Sequence, residues 1–177
     1  MIYVVINGKG GVGKDTFVDC CSQLLGKGRC CNISTVDFVK QVARKCGWNG
    51  EKDPATRKFL SSLKDILTEW RDIPFQDVIY QIGEYQSDVA WQGIDEKECV
   101  VFIHCREPHE IQRLVDELGA RSLLIHRAAA ESVEQCNHAD NEVLNYQYDY
   151  TIYNNYSLSA LHGQAEIFLR EYLELDI

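Results

Sequence analysis

A short apolar run, Ile2–Asn7, passes directly into the turn Gly8-Lys9-Gly10-Gly11-Val12-Gly13-Lys14-Asp15-Thr16. Few folds accommodate that junction. The spacing is G-x-x-x-x-G-K, with a β-branched run before it and the stretch Lys14–Leu25 after it. It predicts a buried strand, a glycine loop and a helix. The residue types follow from what the loop must hold. Glycines let backbone N–H groups converge on phosphate oxygens without Cβ clashes. The following helix adds the partial positive charge of its N-terminus, and Lys14 can reach the β- and γ-phosphates of a nucleotide. Gly8, Lys9, Gly10, Gly11, Val12, Gly13, Lys14, Asp15 and Thr16 are therefore the candidate ATP-binding residues. One position departs from the pattern. A Ser or Thr hydroxyl should follow the lysine and meet Mg²⁺, but Asp15 stands there with Thr16 next. A carboxylate is also a hard oxygen ligand, so Asp15 and Thr16 are both candidates for the metal.

The rest of the chain alternates strand and helix. Cys30–Val36, Cys99–His104, Ser122–His126 and Tyr150–Tyr153 read as strands. Helices are predicted over Lys14–Leu25, Asp37–Cys46, Pro54–Arg71, Phe75–Asp88, Glu107–Leu118 and Leu158–Leu173. Asp53-Pro54 is a helix start, with Asp as the cap and Pro in the first turn, and Ile73-Pro74 is read as a break. Continuous apolar strands separated by helices mean a parallel sheet covered on both faces. Ligands in such sheets bind outside the carboxyl ends of the strands. With 177 residues and no repeat or linker, a single domain is expected.

Composition narrows the function classes. Lys+Arg is 18 and Asp+Glu is 27, a net charge of −9. That balance argues against a general nucleic-acid or anionic-membrane binder, so any anionic ligand must be met by a few local cations. No apolar run approaches the ~18 residues of a membrane span, and the amino terminus has no basic leader, so a cytoplasmic protein is expected. The 8 cysteines have no ligand spacing and read as reduced thiols used as small hydrophobes.

The Gly-Lys-Asp-Thr loop resembles the deoxynucleoside monophosphate kinases of the P-loop kinase superfamily, and is similar to that of the animal-type phosphomevalonate kinases, which also place Asp after the loop lysine. Further segments resemble theirs in order: Asp37-Phe38-Val39-Lys40-Gln41-Val42-Ala43 after the second strand, Cys105-Arg106-Glu107-Pro108-His109-Glu110 after the third, and Asn137-His138-Ala139-Asp140-Asn141-Glu142 in the lid. The resemblance implies a three-layer P-loop kinase-like fold with a five-stranded parallel sheet. It also implies a helical acceptor-binding insert at about 48–92 and a lid at about 127–146. The implied activity is transfer of the γ-phosphoryl of ATP, with Mg²⁺, to a monophosphate acceptor. A second departure is His104, where the family strand usually ends in Asp near the metal. A neutral imidazole does not replace a magnesium carboxylate, so either Asp15 and Asp37 carry the metal shell or metal chemistry is impaired.

Candidate substrate residues fall at the strand ends and on the helical insert. Asp37 either orients the acceptor or caps its helix, and Lys40 lies one turn on. Arg57, Lys64 and Arg71 recur every seven residues and so share one helix face. This face flanks the stripe Leu60, Leu63, Leu67 and Trp70, and Arg57 and Lys64 are the acceptor candidates. Arg106 directly follows a buried strand, where a desolvated guanidinium needs a partner. A substrate phosphate would serve bidentately, and Glu110 is the alternative. By resemblance Arg127 stacks on adenine or touches ATP phosphates. Lys14, Asp37, Arg106 and Arg127 form the candidate catalytic set. His138 with Glu142 is expected to form a local hydrogen bond. Asn154-Asn155 either touches adenine through its backbone or forms a turn.

Other readings remain. Phosphomevalonate or dephospho-coenzyme A type acceptors fit the same loop. A nucleotide-binding homologue without turnover is motivated by Asp15 and His104. Lys9-Gly10-Gly11-Val12-Gly13-Lys14 also matches the deviant loop of partition ATPases, whose early lysine reaches across a dimer. Against that stand the missing Ser/Thr after Lys14 and the acidic tail Arg170–Ile177. A homodimer is left open.

Overall fold

The computed structural model describes residues 1–51, 53–131 and 143–177. Five strands form one parallel sheet in the order β2-β3-β1-β4-β5: β1 Ile2–Asn7, β2 Cys30–Ser34, β3 Val100–His104, β4 Arg121–His126 and β5 Tyr150–Tyr153. The helices are α1 Lys14–Leu25, α2 Asp37–Lys45, α3 Pro54–Arg71, α4 Ile73–Gln92, α5 Pro108–Leu118, α6 Ala128–Glu131 and α7 Leu158–Ile167.

Side chains alternate across the central strands, and that alternation divides the core in two. Val4, Ile6, Val100, Phe102, Leu123 and Ile125 face α1 and α7 on one side. Val5, Val101 and Ile103 face α4 and α5 on the other, against Val78, Ile82, Ile111 and Leu114. Phe17 of α1 packs edge-on against Phe102, with ring centroids 6.4 Å apart, and against Phe168 at 5.6 Å. The glycine loop thus leaves the middle of the sheet and enters a helix that is fully seated in the core.

Several boundaries differ from the sequence reading. Helix α4 begins at Ile73, two residues before Phe75, and runs to Gln92 rather than Asp88. The break is made by Asp72, which sits in the left-handed region at φ 54, and Pro74 belongs to the first turn of α4. A proline lacks only an N–H that the first turn would leave unpaired. The expected Leu158–Leu173 helix passes from α to a π turn at Phe168–Tyr172. On its stripe, Leu158 is 64% exposed. Helix α3 has its expected bounds, but its stripe is less buried than periodicity implied: Leu60, Leu63 and Leu67 are half-buried and Trp70 is 69% exposed. The one buried residue of α3 is Lys64.

Among the described residues no helix is long and apolar enough to cross a membrane. Cys20, Cys21, Cys30, Cys31, Cys46, Cys99 and Cys105 are free thiols, and burial pushes that of Cys31 up to about 11 and that of Cys30 to about 12.

Candidate active site

The loop is built from the carboxyl end of β1 outward. Asn7 is wholly buried, and its Oδ1 accepts the Gly8 N–H at 2.7 Å. Its Nδ2 donates to the Arg106 carbonyl at 3.1 Å and to Tyr148 Oη at 2.7 Å, and the Tyr148 hydroxyl donates to the Val143 carbonyl at 2.8 Å. One asparagine thereby ties the loop, the β3–α5 junction and the segment before β5 together. Asn154, just beyond β5, donates from Nδ2 to the Val12 carbonyl at 2.8 Å, while its N–H bonds the His126 carbonyl at 2.8 Å. Asn155 Oδ1 accepts the Ala128 N–H at 2.8 Å. Asn154 thereby ties the loop to the end of β4, and Asn155 ties the chain after β5 to the start of α6.

Two glycines of the loop are required by space as well as by backbone conformation. A Cβ on Gly13, at φ 96, would lie 2.4 Å from Asn154 Nδ2, and one on Gly8, at φ 146, 2.4 Å from the Ile125 carbonyl oxygen. Lys14 folds back over the loop, donating to the Gly8 carbonyl and to the Lys9 carbonyl at 3.0 Å. These neutral acceptors are the partners that phosphate oxygens, with full charge, would displace.

Three side chains gather beside Lys14. Asp15 is exposed on the first turn of α1, next to exposed Thr16. His104 ends β3, with Nε2 at 3.7 Å from Asp15 Oδ1. Burial of the imidazole depresses its pKa to about 4, although Asp15 and Asp37 pull it upward. Asp37 opens α2, accepts the Ser34 N–H at 2.8 Å, and holds Lys40 at 3.4 Å. The expectation that Asp37 caps its helix is not met: the cap position of α2 is Val36, with no side-chain hydrogen bond, and the Asp37 carboxylate instead braces the end of β2.

The acceptor candidates separate. Arg57 and Arg71 are exposed on α3. Lys64 is turned inward and pairs with Glu107 and, at 2.7 Å, with Glu110. Burial weakens this ammonium, but the two carboxylates more than compensate and its pKa rises. Burial raises the Glu110 carboxyl, whereas Lys64 overcomes the same effect at Glu107 and lowers it. Glu110, the alternative partner for Arg106, is thus occupied by Lys64. Arg106 is half-buried and Arg127 exposed. His138 and Glu142 lie outside the described residues. Glu107, His109 and Glu110 converge closely enough to suit a cation, but Lys64 already supplies the positive charge there.

Two spaces open around this end of the sheet. Between the first turn of α2 and the first half of α4 lies a cleft of about 560 Å³, bordered by Phe38, Gln41, Gln76, Asp77, Tyr80 and Gln81. Between the loop and the end of β4, bordered by Lys9, Val12, His126, Arg127 and Val143, the free space is about 10 Å³. That is room for one water, so an adenine would need these segments to part. Asn7 and Tyr148 were absent from the sequence-derived site, and Asn154 entered it only as an adenine contact or a turn. The available signal was an amide side chain at the carboxyl end of each of two strands.

A five-stranded parallel sheet with helices on both faces and a phosphate loop after its central strand is a P-loop kinase-like fold. Among solved structures, the chain is similar to the shikimate kinase of Aquifex aeolicus at TM-score 0.51 and 12% identity, covering 97% of this chain and 98% of that one. The shikimate kinase of Bacteroides thetaiotaomicron aligns at TM-score 0.47 and 12% identity over 98% and 99%. At this identity the likeness is one of fold. No protein-family model matches the sequence, and no curated protein matches it.

Proposed function

We propose that this protein is an ATP-dependent small-molecule kinase that transfers the γ-phosphoryl group to a monophosphate acceptor, a nucleoside or deoxynucleoside monophosphate. The observation that carries the reading is the loop itself. Lys14 rests on displaceable carbonyls beside Asp15, Asp37 and His104, at the carboxyl end of a sheet whose topology is that of a P-loop kinase-like fold. The cleft between α2 and α4 supports a base-bearing acceptor. Gln41, Gln76, Asp77 and Gln81 offer paired donors and acceptors, and Phe38 and Tyr80 offer ring faces. Such a lining, apolar surface with a few convergent polar groups, suits a small ligand.

Transfer would be in line and would depend on positioning and charge. Lys14 and the loop N–H groups hold the triphosphate, and Asp15 or Thr16 would hold a divalent cation, which would supply further charge neutralisation there. Arg106 meets the acceptor phosphate, Arg127 meets ATP, and Asp37 orients the acceptor with Lys40 beside it. Arg57 gives a weaker, exposed contact to the acceptor.

The test is an ADP-release screen over all ribo- and deoxy-monophosphates, with phosphomevalonate and dephospho-coenzyme A as further acceptors. Turnover confined to one or two nucleoside monophosphates is the expected result. Turnover only with a non-nucleotide acceptor transfers the assignment to that class, and ATP binding without ADP release makes the protein a non-catalytic nucleotide binder. Steady-state kinetics then locate the acceptor. Removing a charged contact to a ligand costs ~2–5 kcal/mol, or roughly 30-fold and upward. Arg106→Ala should raise the acceptor KM by that order and spare ATP, Arg57→Ala should do so less, and Arg127→Ala should affect ATP first.

A further inference from the structure

The end of β3 carries a polar atom with no partner. His104 Nε2 is shut off from water and has no hydrogen-bond partner among the described residues. Its separation from Asp15 Oδ1, 3.7 Å, is beyond the ~3.2 Å reach of an N–H···O bond. A buried nitrogen left in this condition calls for a reason. The atom lies where the chain faces the phosphate loop: Lys14, Asp15, Asp37 and Lys40 are the charged groups around it. Asp37 is already engaged by the Ser34 N–H and by Lys40. Asp15 is not so held, and its side chain is 88% exposed and free to turn.

Besides the Thr16 hydroxyl next along α1, the donors left for a cation are thus one imidazole nitrogen and one carboxylate oxygen. Each would stand ~2.1 Å from an ion, so two such atoms can be up to ~4.2 Å apart, and the observed 3.7 Å fits. The chemistry of the pair is unlike that of a magnesium site. Mg²⁺ prefers oxygen throughout and gives up water reluctantly. A nitrogen donor favours the first-row transition ions, whose affinity for mixed N/O sites rises along the series from Mn²⁺.

Resting on the nucleotide reading above, we infer that the metal accompanying the nucleotide is bound by His104 Nε2 together with Asp15, and that this pair selects a first-row transition divalent cation such as Mn²⁺ over Mg²⁺. His104 is then a ligand in place of the carboxylate that the resemblance leads one to expect, and Asp15 supplies a protein oxygen.

The experiment is pulsed electron paramagnetic resonance of Mn²⁺ bound with a non-hydrolysable ATP analogue to protein labelled with ¹⁵N-histidine. The label separates imidazole nitrogen from the adenine of the nucleotide. A ¹⁵N coupling in the wild-type protein that vanishes in His104→Asn is expected. So is a Kd ratio favouring Mn²⁺ over Mg²⁺ at least tenfold more than in the free nucleotide, falling back in His104→Asp. The wild-type spectrum decides even if neither variant folds. Tight Mn²⁺–nucleotide binding with only phosphate and water couplings overturns the inference, as does a ¹⁵N coupling that persists in His104→Asn. Nucleotide bound without any metal leaves the nucleotide reading standing and removes this one. No nucleotide bound under any condition removes both.

Discussion

Two lysines of this molecule are held in contrasting ways. Lys14, in the loop, donates to the backbone carbonyls of Gly8 and Lys9. Lys64, the sole buried residue of α3, is held by the carboxylates of Glu107 and Glu110. Neutral dipoles compete poorly with a phosphate, whereas two full negative charges in a half-buried setting compete well. The two carbonyl contacts of the loop lysine would therefore give way to a ligand phosphate, and the α3 lysine fastens a helix to the start of α5. The surroundings agree. The loop is fixed by Asn7 and Asn154 and by α1, whose Phe17 is fully buried. Helix α3 presents Phe59, Ile66 and Trp70 to solvent, and its one buried residue is the lysine of the ion triad. The proposed nucleotide loop is thus firmly held, whereas α3, on the proposed acceptor side, has less buried surface to hold it in one place, the property expected of elements that move around a substrate.

The most severe test of this contrast is Lys14→Ala. It should lower ATP affinity on the order of 10³-fold while leaving the melting temperature nearly unchanged, since the backbone carbonyls of Gly8 and Lys9 that lose a donor lie on the loop and not in the core. Calorimetric titration checks the first and thermal unfolding the second; unchanged ATP affinity removes the nucleotide loop from the account. Lys64→Ala should act the other way round. It leaves Glu107 and Glu110 buried without a counter-ion, a change that typically costs ~3–5 kcal/mol. Urea unfolding should register that loss, and Lys64→Ala combined with Glu107→Gln and Glu110→Gln should regain much of it. If Lys64→Ala instead raises the acceptor KM in a protein of normal stability, Lys64 belongs to the substrate site.

A third expectation concerns pH, in protein free of metal and nucleotide. The folded His104 stays neutral down to about 4, against an ordinary value of 6.5. Between these values the unfolded chain binds a proton that the folded chain refuses, so stability is full above pH ~6.5 and falls as pH drops toward 4. At ~1.4 kcal/mol per unit the loss is about 3 kcal/mol. Urea midpoints measured from pH 7 to 4 should show it, and His104→Asn should flatten that part of the profile. The smallest effect belongs to Trp70→Ala. At 69% exposed, this side chain should contribute under ~0.5 kcal/mol to stability, and a larger loss in the unfolding curve would mean that α3 is packed more firmly than its exposure indicates.

The parallel sheet, its strands and the nucleotide loop were legible in the chain because each rests on local rules. Val4–Ile6 and Val100–Ile103 are apolar runs of strand length, G-x-x-x-x-G-K fixes a loop by spacing, and Asp53-Pro54 is a self-contained helix start whose Asp side chain accepts the Thr56 N–H. Asp37, Arg106 and Arg127 could be placed at strand ends because the βα rhythm puts them there. The fate of Lys64 was decided elsewhere. Periodicity set it on a face with Arg57 and Arg71, but its partners stand 43 and 46 residues away, and no local pattern reports a pairing across that distance. The same holds for Asn7 and Asn154, the first read as a strand end and the second as an adenine contact or a turn, until the strand order brings Arg106, Tyr148 and Val12 to them. Sequence could show that His104 stands where a carboxylate was expected. Only the register of β3 beside β1 and β2 set its ring next to Asp15, because which polar groups share a buried site depends on strands that are neighbours in space and far apart along the chain.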